Sequence, residues 1–465
     1  MIDSDKITFF VRSLGCKTNQ YEKDVIAAQL SEAGLEQVFV EDADIYVLNT
    51  CAVTAEASRK SRQMLRRMRR KSPEAIAVVM GCESELSDLD EWADLCIGTT
   101  GRNLIVKEVL KLLEERGRDL SSISSSAWQL ADKLAADSQD SDGSVFEDPQ
   151  VSVTPSDSRA QLKICDGCNN RCTYCTICLA RGPVRSRQLD SIVAEATDLV
   201  SQGYREIVLT GVHICSYGDD FHGQDSDLAQ VLASLNSIKG LTRIRLGSLD
   251  PARITSEFVE SMSHLENLCP HFHLSMQSGS DAVLERMGRH YDSAKFREVA
   301  AMLRSVWPEA ALTTDVMCGF PGETDEDHRQ TVELCQEVGF TKIHVFPYSR
   351  RSETAAASMP NQVPSEIAKE RTQEMLDLSD HLSAAYCSRR IGDSTLVLLE
   401  REISPGIGEG YTRTYLPCRF QINYFGSKAH PGDIFLVNLE EYKDGYLYGT
   451  GSLCDSDEDN KRNYI

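Results

Sequence analysis

Five cysteines stand within fourteen positions, Cys165, Cys168, Cys172, Cys175 and Cys178, in a chain of 465 residues with sixteen cysteines altogether. Such clustering points to metal, iron–sulfur or redox chemistry rather than to a disulfide framework. Thiolates are the ligands that iron–sulfur clusters take. Two spacings compete here. Cys168, Cys172 and Cys175 form C-x3-C-x2-C, three ligands that leave one iron of a [4Fe–4S] cube open. Cys172, Cys175 and Cys178 form a ferredoxin-like C-x2-C-x2-C, but Leu179 stands after Cys178 where a fourth Cys–Pro pair belongs elsewhere in that pattern. Zinc would also accept several close thiols. Cys16, Cys51 and Cys82 are 35 and 31 residues apart, yet each follows a β-rich run. Strand ends of a parallel sheet share one edge, so the three thiols can converge there.

The elements that must position these thiols follow a βα rhythm. Residues 7–12, 44–48 and 75–80 are β-rich, with helical patterns at 20–33 and 54–70 between them. This order predicts a parallel sheet with helices on its faces over residues 1–117. Residues 119–158 hold eleven Ser, eight acidic residues and one Lys. They read as an acidic linker (118–160), with a short helix near 128–136. A second series puts strands at 161–164, 206–210, 243–247, 271–275, 311–316 and 342–346, with helices such as 189–202 and 325–338. Six such units over 161–387 predict a partial (β/α)6 barrel, a doubly wound sheet being the alternative. Short strands at 395–400, 411–422, 433–438 and 446–449 predict a small all-β barrel over 388–455, before a charged tail at 456–465.

Charge narrows the partners. Lys and Arg number 49 and Asp and Glu 71, a net charge of −22. Such a chain is a poor generic polyanion binder, so nucleic-acid contact needs local basic patches. Residues 59–71 supply one, with eight basic residues and no acid. Arg66, Arg67, Arg69 and Arg70 are its candidate RNA contacts. Arg181, Arg185 and Arg187, just past the cysteine loop, are a second set. Arg413, Arg419 and Lys428, with Tyr411, Tyr415 and Tyr424, suit phosphate contact and base stacking. No apolar run reaches the roughly 18–20 residues a span needs. The first ten residues carry three charges and no apolar core. The expectation is a cytoplasmic protein without membrane or DNA partners.

The C-x3-C-x2-C loop, with Tyr174 before its third Cys, resembles the radical S-adenosylmethionine (SAM) superfamily. Together with the three-Cys first region and the terminal β-barrel, the chain resembles the methylthiotransferases over nearly its whole length. Leu14-Gly15-Cys16-Lys17-Thr18-Asn19-Gln20-Tyr21-Glu22 and Asn49-Thr50-Cys51-Ala52-Val53-Thr54 look most like the branch acting on tRNA N6-threonylcarbamoyladenosine. So do Asp166-Gly167-Cys168-Asn169-Asn170, Ala180-Arg181-Gly182 and Pro347-Tyr348-Ser349-Arg350-Arg351. The terminal barrel is similar to the RNA-binding TRAM domain. Cys178 departs from the family's usual Pro and Glu353 from its common Gly; neither removes a ligand.

The resemblance implies two [4Fe–4S] clusters: one on Cys168, Cys172 and Cys175, and a second, carrying the inserted sulfur, on Cys16, Cys51 and Cys82. It implies two SAM molecules per turnover, a tRNA substrate and a flavodoxin- or ferredoxin-type reductant. SAM is expected over the barrel's strand ends, near Tyr174, Thr210, Gly211, Ser248, Gln277 and Gly319. The expected activity is C2 methylthiolation of threonylcarbamoyladenosine beside the anticodon. The isopentenyladenosine and ribosomal-protein aspartate branches are alternatives, as is a non-catalytic zinc- or cluster-binding RNA adaptor.

Overall fold

The computed structural model describes residues 6–40, 42–121, 123–139, 144–155, 157–221, 226–423 and 429–454. In the first region, strands β1 (Thr8–Ser13), β2 (Glu36–Gln37), β3 (Ile45–Thr50), β4 (Ile76–Gly81) and β5 (Leu95–Cys96) make one sheet in the order β2-β1-β3-β4-β5. All its pairings are parallel. Every residue of β3 and β4 is buried, as expected of strands covered on both faces. Helices α1 (Lys17–Glu32), α2 (Ala55–Lys71), α3 (Cys82–Leu86) and α4 (Ile105–Glu115) connect or flank these strands. Helix α1 begins three residues before the predicted 20–33, because Cys16 itself takes the extended N-cap conformation (φ −87°, ψ 176°).

The linker expectation needs correction. Residues 125–139 form helix α5 (Ser125–Gln139). Ile123, Ala127, Ala131 and Leu134 are buried in the same core as Ile105, Val109 and Leu113. Beyond it, Gln29 Nε2 donates to the Pro149 carbonyl (2.9 Å), and Val153 packs on Tyr21 and Val25. The acidic, Ser-rich composition hid an apolar stripe at helical spacing.

The central region carries β6 (Ala160–Asp166), β7 (Arg185–Ser186), β8 (Glu206–Gly211), β9 (Arg243–Arg245), β10 (Ser248–Leu249), β11 (His271–Gln277), β12 (Ala311–Cys318) and β13 (Lys342–Pro347). They form two four-stranded sheets, β7-β6-β8-β9 and β10-β11-β12-β13, with an isolated parallel bridge from Ile244 of β9 to Leu268 in the loop before β11. Apart from the short antiparallel β7, all pairings are parallel. Helices α6 (Ile177–Arg181), α7 (Leu189–Ser201), α8 (Leu228–Asn236), α9 (Ser256–Ser263), α10 (Asp281–Met287), α11 (Ser293–Val306), α12 (Asp325–Val338) and α13 (Ser365–Ser388) complete the βα units. Side chains alternate along these strands. Ile207, Leu209, Ile244, Phe272, Leu274, Leu312 and Ile343 pack in the apolar core with the helices. Glu206, Arg243, Arg245, His271, His273, Thr313, Asp315 and His344, at the alternate positions, face the concave side. This is the predicted partial (β/α)6 architecture.

Strands β14 (Ser394–Ser404), β15 (Ile407–Thr412), β16 (Pro417–Asn423), β17 (Ile434–Lys443) and β18 (Tyr446–Leu453) close into a barrel, β14-β15-β16-β18-β17, consistent with a TRAM-like domain. Closure leaves no open sheet edge. The barrel docks through Arg243, which donates to the Tyr411 (3.0 Å) and Leu396 (2.8 Å) carbonyls, and Arg245, which donates to that of Arg413 (2.9 Å). Several predicted RNA contacts have partners within the protein. Arg413 donates to the Glu266 and Leu268 carbonyls. Arg419 pairs with Glu409 and covers the Tyr446 ring, while Tyr411 and Tyr415 stack on each other at 4.7 Å. Tyr424, Lys428 and the tail at 456–465 lie outside the described residues. Among the described residues, no helix is long and apolar enough to cross a membrane.

Candidate functional site

Strands β1, β3 and β4 are neighbours, so their C-terminal ends deliver Cys16, Cys51 and Cys82 to one edge. Cys51 senses both other thiols electrostatically. Gly15 makes the close approach possible: its φ is +104°, and a Cβ there would fall 2.7 Å from Cys51 Sγ. Two asparagines fix the loops. Asn19 Nδ2 donates to the Leu14 (2.9 Å) and Thr50 (2.8 Å) carbonyls, and Cys16 Sγ donates to Asn19 Oδ1 at 3.5 Å. Asn49 Nδ2 donates to the Asn19 carbonyl (3.0 Å) and to Glu22 Oε2 (3.2 Å). Burial pushes Cys51 up to about 11 and also raises Cys82.

The second thiol set follows β6. Gly167 turns the chain at φ +74°, where a Cβ would overlap the Pro183 carbonyl at 1.8 Å. The loop is pinned by main-chain bonds from Cys168 N to the Gly182 carbonyl (3.0 Å), Thr173 N to that of Met287 (2.9 Å) and Cys175 N to that of Cys172 (3.0 Å). Arg289 Nη1 donates to Cys172 Sγ at 3.4 Å. Cys178 Sγ turns toward the Cys175 carbonyl, 3.9 Å away. Burial pushes Cys168 up to about 11 and Cys175 up to about 12. All sixteen cysteines are free thiols. Among the described residues, no three His, Cys, Asp or Glu side chains are gathered as a single-ion site.

One buried charge network joins the two sets. Arg181 Nε donates to Cys82 Sγ at 3.2 Å. Its Nη1 pairs with Glu22 (2.8 Å) and with Asp166 (2.9 Å), two residues before Cys168. Arg102 and Lys163 also reach Glu22, at 2.9 and 2.8 Å. Burial alone would raise Glu22 and Asp166; the surrounding cations hold both well below the usual carboxylate range. The expectation that Arg181, Arg185 and Arg187 grip RNA is therefore corrected. They are 2–3% exposed. Arg185 donates to the Arg181 carbonyl (2.8 Å), and Arg187 pairs with Asp148 (2.5 Å) and with Glu195. Asp166, Asp148 and Glu195 neutralise them together with Glu22, whose pairing with Arg181 welds the first region to the barrel.

The positions expected near SAM fall along the strand ends. Tyr174 is half-buried with Phe320, ring centroids 6.4 Å apart. Thr210 and Gly211 close β8, and Ser248 is exposed at the start of β10. Gln277 ends β11 at φ +65°, a strained conformation for this residue type. Gly319 is committed elsewhere: its N–H donates to Glu323 Oε2 (2.6 Å), and a Cβ would meet Ala368 at 2.5 Å. Sequence reading missed Arg289, Asp250, His213 and Asn170. Asp250 accepts from Asn170 Nδ2 and lies 3.1 Å from His213 Nε2, with Arg289 at 3.8 Å.

Arg59, Arg62, Gln63, Arg66, Arg69 and Arg70 of α2 and Trp92, from the segment between α3 and β5, line a groove of about 650 Å³. Arg66 lies over the Trp92 ring at 4.2 Å, and Arg69 pairs with Asp94 at 3.0 Å. Arg66, Arg67 and Arg70 are exposed.

A parallel partial barrel with this loop at its strand ends defines a radical SAM protein, and residues 162–335 match the Radical SAM superfamily. Residues 8–96 match the uncharacterized protein family UPF0004. Threonylcarbamoyladenosine tRNA methylthiotransferase MtaB of Bacillus subtilis (strain 168) is 35% identical over 462 residues, covering 97% of this chain and 97% of that protein. MtaB of Thermotoga maritima is 35% identical, over 90% of this chain and 92% of its own. The tRNA-2-methylthio-N(6)-dimethylallyladenosine synthase of Pelotomaculum thermopropionicum is 32% identical, over 86% and 88%. The chain belongs to the radical SAM methylthiotransferase family, on its MtaB-like side. The radical SAM methyltransferase TsrM of Kitasatospora setae shares the fold, with TM-score 0.53 and 16% identity over 76% of this chain and 77% of that one. Membership brings SAM and iron–sulfur cofactors.

Proposed function

We propose that this protein is a tRNA methylthiotransferase that converts N6-threonylcarbamoyladenosine to its 2-methylthio derivative. The observation that carries this reading is the joining of two three-thiol sets by one buried network, in a chain matching MtaB over 97% of both lengths. No side-chain acid or base replaces an unactivated adenine C–H bond; a radical cofactor is required. Cys168, Cys172 and Cys175 would hold one [4Fe–4S] cluster and Cys16, Cys51 and Cys82 a second. When bound, these groups supply one-electron cleavage of SAM and the sulfur to be inserted, with two SAM molecules used per product.

The donor chemistry fits. Each set offers three free thiols on pinned loops, and in each set one sulfur already accepts an arginine N–H, from Arg289 or Arg181. Hydrogen bonds to sulfur tune the potentials of such clusters. Asp166 and Glu22 hold Arg181 against Cys82. The aromatic packing of Tyr174, Phe320 and Tyr348 keeps water from one side of the barrel loop. For RNA, the α2 groove offers guanidinium groups for phosphates and Trp92 for stacking. Helix α2 starts four residues after Cys51, and Ala55 N donates to Ser349 Oγ of the barrel at 3.0 Å. The anticodon arm would thus lead from the thiol junction along α2. A cytoplasmic setting and a flavodoxin- or ferredoxin-type reductant complete the proposal.

Mass spectrometry of tRNA nucleosides from cells with and without the gene tests it. The deletion strain should accumulate threonylcarbamoyladenosine and lose its 2-methylthio form. Retention of that form, with no second such enzyme present, overturns the proposal.

A further inference from the structure

The concave side of the barrel holds a group of cations that the cluster chemistry does not use. Lys17 directly follows Cys16, on the first turn of α1. Its Nζ lies 5.6 Å from the Tyr415 ring centroid, and it makes no salt bridge or hydrogen bond among the described residues. Tyr415 is held at φ +65°, unusual for a bulky residue. Its ring meets that of His271 at 4.9 Å, with Arg245 at 4.6 Å and Arg159 at 5.1 Å.

His271 is 4% exposed and its Nδ1 has no hydrogen-bond partner, while its Nε2 lies 3.4 Å from Thr313 Oγ1. His344, on β13, stands 5.6 Å from the His273 ring. Both His271 and His344 lie within electrostatic reach of Lys17. Lys17 and His344 are exposed residues, whereas His271 is buried beneath the Tyr415 ring. The nearby carboxylates are already engaged. Glu206 is shared by Arg243 and Arg245, Asp315 pairs with His273, and Glu400 pairs with Arg159. Among the described residues, the Lys17 ammonium and the buried His271 Nδ1 are left without a hydrogen-bond partner.

We infer that Lys17, His271 and His344 form a subsite inside the barrel that takes the carboxylate of the substrate's threonyl group. The inference rests on the proposed substrate and adds the residues that select it. An apolar dimethylallyl substituent would leave the ammonium unpaired, and sites built for a polar group reject analogues lacking it far more strongly than apolar pockets discriminate. The position beside Cys16 would anchor the substituent next to the thiol set assigned to the inserted sulfur.

The test measures binding of the reconstituted full chain to synthetic anticodon stem-loops carrying threonylcarbamoyladenosine, its carboxylate methyl ester, or unmodified adenosine. Wild type should prefer the free acid to the ester by about 10- to 100-fold, the range for hydrogen bonds to a charged group. Lys17→Gln should bind the free acid and the ester alike, as wild type binds the ester. In the double-mutant cycle, the ester should add no further loss to Lys17→Gln. His344→Gln should lose about three-fold of the preference. A Lys17→Gln protein with native iron content that keeps the preference overturns the inference. Should Lys17→Gln lose its iron, an unchanged preference in His344→Gln overturns it instead. A wild type that binds the unmodified loop as tightly as the free acid sinks the substrate proposal itself.

Discussion

Cys178 is the residue on which the two cluster spacings divide. It lies within electrostatic reach of Cys168 and Cys175, yet its thiol turns toward the Cys175 carbonyl. Cys178→Ala should retain barrel iron and SAM cleavage, and Cys168→Ala should abolish both; anaerobic reconstitution with iron and 5′-deoxyadenosine assays checks this, and the reverse pattern favours the ferredoxin spacing. Arg181 is the second decisive residue. Removing one partner of a buried ion pair typically costs about 3–5 kcal/mol. Arg181→Ala should lower stability by about that amount, measured by denaturant unfolding, without changing the salt dependence of tRNA binding. The placement of Cys16, Cys51 and Cys82 just past three neighbouring strands, and of Cys168, Cys172 and Cys175 in the loop after β6, was legible because strand ends and loop spacing are local features. The arginines were not: from sequence they read as a basic run beside the loop, while Glu22, Asp148 and Glu195, which neutralise them, come from other segments. Asn19 and Asn49 escaped for the same reason, since their role is to satisfy carbonyls of loops far apart in the chain.

At the scale of elements, continuous apolar runs gave β3 and β4 to within a residue or two, and the short helix expected near 128–136 is the middle of α5; its packing into the core was hidden by the acidic, Ser-rich composition around it. Leu134, on the core face of α5, is fully buried. Leu134→Ala should cost about 2–5 kcal/mol, readable as a lowered denaturant midpoint; an unchanged midpoint would show that α5 does not belong to that core. Helix α2 was read correctly as basic, and its fold adds Trp92, which only the tertiary arrangement brings under Arg66. Arg66→Ala and Arg70→Ala should each weaken tRNA binding and each reduce the slope of log affinity against log salt by about one. Titrations at several salt concentrations would show it, and slopes equal to wild type would move the RNA surface elsewhere.

For the whole molecule, the docking of the terminal barrel depends on a charge buried at the joint. Burial by itself would raise Glu206, but Arg245 and Arg243 bring it down from 4.5 to about 2. A carboxylate depressed in the folded state contributes stability that is complete above its unfolded value and fades as pH falls through the folded one. The contribution is about 3 kcal/mol, present above pH 4.5 and lost toward pH 2. Acid unfolding followed by circular dichroism should show this loss, and Glu206→Gln should remove that part of the pH dependence while lowering stability near neutrality. None of this joint could be read beforehand, because Arg243 and Arg245 donate to carbonyls 153 to 168 residues away, of Leu396, Tyr411 and Arg413. The architecture itself was legible, since alternating strands and helices followed by Gly- and Pro-punctuated strands leave few ways to pack.

In the proposed reaction the two thiol sets work together on one adenosine. The most direct measurement of this is mass spectrometry of a threonylcarbamoyladenosine stem-loop incubated anaerobically with reconstituted protein, SAM and dithionite. The predicted result is a methylthio group on the adenosine with wild type, and 5′-deoxyadenosine but no methylthio product with Cys51→Ala. Protein loaded with iron at both sets that yields neither 5′-deoxyadenosine nor modified RNA would contradict the account.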